Sequence, residues 1–222
     1  MNLFHVLNRG VEKRDIFMDE RDRFRFVHGL LLFNTEKPAN NTTYLLENHN
    51  DFVNRYRDSE RIVDLHGWSL MKNHYHLLIS ERIDGGLTTY IRKLNVGYAN
   101  YFNEKYKRTG SLFQGRTKKV LIHSSAHFLH ILHYIHLNPL DYLPGARTWR
   151  VGYVKDAVGA KRYLNTYRWS SYADYRGEAN FPSLLTTEFF EDSIGNIEKE
   201  TLSYLVQRNP KNMDMPPLHL LE

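Results

Sequence analysis

The chain has 222 residues, 41% hydrophobic and 25% charged, with a net charge of +5 and no cysteine. That length and balance suffice for one sizeable domain with an appendage, or for two small ones. The lack of cysteine excludes disulfides, zinc knuckles and thiol nucleophiles, so any metal is held by nitrogen and oxygen, which points to magnesium, manganese or a similar ion.

The opening MNLFHVLNRGVEKRD lacks the apolar core of a secretory signal, and no stretch approaches the roughly 18 uninterrupted apolar residues of a membrane span. The expected location is the cytoplasm. Residues 178–222 carry eight acidic and three basic side chains, which leaves +10 on residues 1–177. A polyanion would bind that basic part.

In chain order, Phe4 to Arg9 alternate as a first strand that ends at Gly10, and DERDRFRFVHGLLLFN places Phe24, Val27, Leu30 and Leu31 at helical spacing behind an acidic start. Residues 34–60 are polar and asparagine-rich, a long connection with one irregular helix around Asp51 to Tyr56. Arg61 to Met71 reads as a second strand, and a Lys72–Asn73 turn joins it to a third that begins at His74. After Gly85 and Gly86, the spacing of Leu87, Ile91, Leu94, Tyr98 and Tyr101 predicts a helix. Thr117 to Ile122 resumes strand character, and Ser124 or Ser125 caps a last helix, SSAHFLHILHYIHLN, that Pro139 ends.

This order, strand, helix, strand, strand, helix, strand, helix, predicts a ferredoxin-like α+β sandwich: an antiparallel sheet with helices on one face, plus one extra helix. The expected units are residues 1–177 and an acidic helical appendage, 178–222, which reads as a solvated helix or as a tail folded back over the basic face.

Within NHYHLLI, residues 73–79, His74 and His76 share one strand face with Leu78, while Tyr75 points the other way. On the last helix, Tyr134 and Asn138 lie one turn apart, with His130 a turn earlier and His127 more loosely aligned; Phe128, Leu132 and Ile135 form a separate apolar stripe. If the polar side of that helix covers the His74 strand, His74, His76 and Asn138 can hold a divalent metal with positions open for water or a phosphate oxygen. A phenol, whose ordinary pKa is about 10, is a poor nucleophile near neutral pH, but a cation that polarises a phosphate lets Tyr134 attack and form a phosphotyrosine. A plainer reading of the same residues makes the histidines solvated surface, Tyr134 packing and Asn138 a helix cap.

Between Ile91 and Val120, Arg92, Lys93, Lys105, Lys107, Arg108, Arg116, Lys118 and Lys119 are opposed only by Glu104, and Tyr98, Tyr101, Phe102, Tyr106 and Phe113 are interleaved. Cations neutralise phosphates and aromatic faces stack unpaired bases, which suits single-stranded or hairpin nucleic acid. The alternative is an amphipathic helix whose aromatics belong to the core.

Five stretches, LFHVLNRGVEKRDIF, WSLMKNHYHLLI, GSLFQGRTKKVLI, HYIHLNPL and YRWSSYADYRG, resemble in order and spacing those of the REP-associated tyrosine transposases and insertion sequence 200 type transposases, members of the HUH endonucleases. The resemblance covers residues 3–177. It implies that His74 and His76 bind Mg or Mn, with Asn138 as third ligand, and that Tyr134 is the nucleophile. It further implies single-stranded DNA with hairpin structure as substrate, a 5′-phosphotyrosine intermediate with a free 3′-hydroxyl, and action as a monomer or homodimer, nucleoid-associated when bound to DNA. Arg9, Lys105, Lys107, Arg108, Arg116, Lys118 and Lys119 are the expected DNA contacts, and His130 is a candidate general base. Two other functions fit the same residues: a non-catalytic nucleic-acid-binding regulator, and a metal-dependent phosphoesterase that uses water as nucleophile.

Overall fold

A computed structural model describes residues 2–37, 61–122, 125–187 and 196–206, and for 125–129 the backbone alone. The irregular helix expected near Asp51 to Tyr56, the serine cap and the His127 and Phe128 side chains lie outside the described residues.

Strands β1 (Leu3–Arg9), β2 (Val63–Leu70), β3 (His74–Glu81) and β4 (Lys118–Ile122) form one sheet in the order β2-β3-β1-β4, with every neighbouring pair antiparallel. This is the predicted ferredoxin-like α+β topology. Helices α1 (Glu20–Leu32) and α2 (Gly86–Lys105) cover one face, where Val6, Tyr75, Leu77 and Ile79 meet Phe26, Leu30, Leu94 and Tyr98. Helix α3 (Ser125–Leu137) covers the other, where Leu3 and Leu78 meet Leu132, Tyr134 and Ile135.

Two local features set these faces. Asp19 caps α1 by accepting from the Asp22 backbone N–H at 2.9 Å while the Asp22 carboxylate accepts from that of Asp19, a reciprocal arrangement that satisfies two helix-start donors. In β2 the register against β3 slips between Leu65 and Gly67. That bulge explains why the apolar positions change parity, from Val63 and Leu65 to Trp68 and Leu70, yet all four enter the same core. Gly67 then lies under α3, where a Cβ would stand 2.7 Å from Leu132 Cδ1, so glycine lets the helix sit close to the sheet.

After α3 the chain tightens into a 3-10 turn, Asn138–Tyr142, with Pro139 at its start. A second 3-10 turn, Arg147–Val151, and helices α4 (Ala157–Thr166) and α5 (Tyr172–Tyr175) follow. The last described helix, α6 (Ile197–Val206), is no solvated appendage: Ile197 and Leu205 enter the α3 core, and Glu198 pairs with Lys161 at 2.7 Å and with Arg176 at 2.8 Å. Its acidic first turn thus meets cations of the preceding helices, which sequence periodicity alone does not reveal.

Candidate active site

The β1–β3 ladder places Arg9 opposite His74 and Leu7 opposite His76, so His5 is the diagonal neighbour of His76 on the same sheet face. His5, His76, Tyr134 and Asn138 are fully buried, and His74 is 7% exposed. The His74 and His76 rings meet edge to face at 4.9 Å between centroids, and the Tyr134 ring stands perpendicular to His76 at 5.5 Å and to His5 at 5.8 Å. Sheet and helix therefore bring the expected imidazole pair and phenol together.

Both imidazoles are tied back through Nδ1. His74 Nδ1 lies 2.6 Å from Asn73 Oδ1, and the Asn73 amide is oriented by its own Nδ2, which donates to the Lys13 carbonyl at 3.0 Å. His76 Nδ1 lies 2.9 Å from His5 Nε2. The Nε2 atoms of His74 and His76 are both buried without a hydrogen-bond partner. A buried orphan nitrogen is costly unless something occupies it, and a paired set of them is what a metal ion requires.

Burial pushes the His74 pKa down to about 3, helped by the cations of Arg9 and Arg150 and opposed by Asp141. Burial first, then His74, His5, Arg150 and Arg9, hold His76 well below its ordinary value. Both rings are thus neutral at pH 7, the form that offers a lone pair. Among the described residues no three His, Cys, Asp or Glu side chains converge as a metal cluster, so completing a coordination shell falls to other donors. Two neutral imidazoles with unpartnered Nε2 atoms are donors that suit a divalent ion whose remaining positions are taken by oxygen.

Asn138 follows α3 directly. Its Nδ2 donates to the Tyr134 carbonyl at 2.8 Å, so it does cap the helix, which leaves its Oδ1 as the group able to face a cation. Arg150 Nη2 approaches that oxygen at 3.4 Å. The guanidinium is itself fixed by Asp141, at 2.6 Å to Oδ2 and 3.2 Å to Oδ1, and lies over Trp149 at 4.8 Å and Tyr134 at 5.9 Å. A guanidinium held in place in this way presents a planar set of donors that can meet a phosphate.

Residues 28–138, half the chain, match the family described as "Transposase IS200 like". The chain belongs to that family of DNA transposases. Among solved structures it is similar to a REP-associated tyrosine transposase bound to a REP hairpin, at 11% identity and a TM-score of 0.47, with 84% of this chain and 86% of that chain covered. A search of curated proteins finds no match.

In this IS200-like transposase the other expected residues are placed less uniformly. Arg9 ends β1 beside His74, and its Nε is buried without a partner. Lys118 pairs with Leu7 across β1–β4 and so leans to the histidine face, whereas Lys119 leans to the α2 side and donates to Thr88 Oγ1 at 2.7 Å. Arg116 and Lys107 are exposed, and Arg108 is half-buried, donating to Asn103 Oδ1 at 2.9 Å.

Lys105 has a different occupation. Its ammonium pairs with Asp19 at 2.8 Å and with the buried Asp22 at 2.7 Å, beneath the rings of Tyr101 and Tyr106. Tyr101 and Tyr106 also donate to Asp22, and Tyr98 and Phe102 are core residues, so these aromatics hold α2 to α1 rather than face a base. His130 is likewise turned elsewhere: its Nδ1 lies 2.7 Å from Tyr204 Oη on α6. His5, Asp141, Trp149 and Arg150 do not stand out in the sequence. The alternation of FHVLNR could have found His5, since it shares a face with Arg9; the other three reach the site from 3-10 turns, which have no periodic signature.

Proposed function

We propose that the chain cleaves and rejoins single-stranded, hairpin-associated DNA through a 5′-phosphotyrosine on Tyr134. His74, His76 and the Asn138 oxygen would hold a divalent ion, Mg or Mn, that polarises the scissile phosphate when bound. The observation that supports this best is the pair of buried, unpartnered Nε2 atoms on His74 and His76 with the Tyr134 ring 5.5 Å from His76.

Tyr134 Oη loses its proton and forms the bond to phosphorus as the bond to the 3′ oxygen breaks, and that proton is in net terms returned to the 3′ oxygen, which leaves as a hydroxyl. A 3′-hydroxyl can then attack the phosphotyrosine, restoring a phosphodiester and returning the phenol without an external energy source. Arg150 and Arg9 flank the histidines and would neutralise the phosphate, and Lys118, Arg116, Lys107 and Arg108 would track the flanking strand. Trp149 and Arg150 lie against the buried Tyr134 ring. The catalytic unit on this reading is residues 1–177, with Ile197 and Leu205 of α6 packed into the α3 core.

The test incubates the full chain with end-labelled hairpin single-stranded DNA and magnesium or manganese, followed by a denaturing gel. A covalent protein–DNA band that disappears in Tyr134→Phe is expected. Hydrolysis retained in that variant would instead mean a phosphoesterase, and binding without cleavage a regulator.

A further inference from the structure

We infer that His5 is a positioning residue for metal binding: by accepting a hydrogen bond from His76 Nδ1–H it fixes the tautomer and ring plane in which His76 Nε2 offers a lone pair. This rests on the reading of His74 and His76 as ligands.

The His5 and His76 rings lie 5.1 Å apart and within 11° of parallel, joined by the 2.9 Å contact between His5 Nε2 and His76 Nδ1. Only one proton can lie in that contact. If His5 supplies it, His76 must carry its own proton on Nε2 and cannot ligate; if His76 supplies it, Nε2 is free and His5 carries its proton on Nδ1.

His74 provides the internal parallel. Its Nδ1 meets an amide oxygen, which can only accept, so its proton sits on Nδ1 and its Nε2 is the lone pair. One ligand is set by Asn73 and the other by His5. His5 is no third ligand, because it meets the ring of His76 from the Nδ1 side, away from Nε2.

An ordinary core role explains His5 poorly. It is fully buried and its Nδ1 has no partner, a desolvation cost that a leucine at this position would not incur. Tyr134 also stands perpendicular to the His5–His76 pair, so the plane that His5 fixes is the one against which the nucleophile packs.

The test titrates manganese alone into wild type, His5→Leu, His5→Gln and His76→Ala, counting free ion by electron paramagnetic resonance, with thermal melts as a fold control. His5→Leu should weaken binding on the order of 10- to 100-fold, His5→Gln, whose side-chain oxygen still accepts, should recover most of it, and His76→Ala should abolish it. If His5→Leu binds as wild type while His76→Ala does not bind, the role of His5 is overturned and the ligand assignment stands; if neither variant changes binding, the ligand assignment falls and the proposal with it. Should His5→Leu fail to fold, long-range proton–nitrogen spectra of the wild type with magnesium decide: protons on Nδ1 of both His5 and His76 support the proposal, and a proton on His5 Nε2 overturns it.

Discussion

On one face of the sheet Val6, Tyr75, Leu77 and Ile79 meet Phe26, Leu94 and Tyr98; on the other, one step away on the same strands, His5 and His76 meet Tyr134, and His74 meets His76. Both faces are buried, yet they use burial differently. The α1–α2 face buries apolar carbon, and apart from Trp68 Nε1, which has no partner, polar tips there are met by acceptors, as where Tyr75 Oη donates to Asn95 at 2.8 Å and Tyr90 Oη to the Leu30 carbonyl at 2.9 Å. The α3 face buries imidazoles and leaves His74 Nε2 and His76 Nε2 unanswered. The first face contributes stability; the second carries a cost that a bound ion would offset.

Substitutions one residue apart on β3 should break that comparison most sharply. His76→Ala is expected to lose both manganese binding and the covalent DNA band while it still melts cooperatively; a metal-dependent band that survives would contradict the division. Its neighbour Leu77 is fully buried on the opposite face. Leu77→Ala should cost roughly 2–5 kcal/mol in denaturant unfolding, with manganese affinity of the folded fraction unchanged; a selective loss of affinity would show that the faces are not separable.

A smaller effect concerns pH. Burial holds His5 and His136 at about 3 and His133 at about 4, and burial lowers His74 and His76 as well. In the unfolded chain these groups take up protons below about 6.5, whereas in the folded chain they do so only near their lowered values. The stability they share is therefore complete above pH 6.5 and lost as pH falls toward about 3. Metal-free protein should melt lower at pH 5 than at pH 7.5, and an equal or higher midpoint at pH 5 would refute this view of the histidine face.

The smallest effect belongs to the rim. Lys118, which leans to the histidine face, should behave as one phosphate contact: Lys118→Gln should lower the slope of log affinity against log salt by about 1 for hairpin DNA of any sequence. Lys105→Gln should leave that slope unchanged and lower the melting midpoint instead, since Asp19 and Asp22 hold its charge. A reversed pattern would move the DNA path to the α1–α2 face.

The same contrast explains what the sequence could disclose. Strand alternation in NHYHLLI puts His74 and His76 together, and helical spacing puts Tyr134 one turn from Asn138, because both periodicities are local. Even the bulge in β2 is legible, as the change of apolar parity between Leu65 and Trp68. The partners of the site are less so: alternation puts His5 on the face of Arg9, but its pairing with His76 spans 71 residues, and Arg150 reaches Tyr134 from a 3-10 turn. Composition also misleads at α2: basic and aromatic residues together suggest a base-stacking surface, but a buried Asp22, placed by its capping role, gathers Tyr101, Tyr106 and Lys105 inward. A charge pattern shows how many cations a segment has, not which already have a carboxylate. The acidic α6 departs from its expected solvated state for the same reason, because Lys161 and Arg176 await its Glu198.

If a divalent ion sits between the sheet and α3 beside Tyr134, anomalous scattering from crystals soaked in manganese tests it most directly. One strong peak is expected within coordination distance of Nε2 on both His74 and His76, on the side facing Tyr134. A peak elsewhere, or those two nitrogens without a peak at full manganese occupancy of other sites, would contradict it.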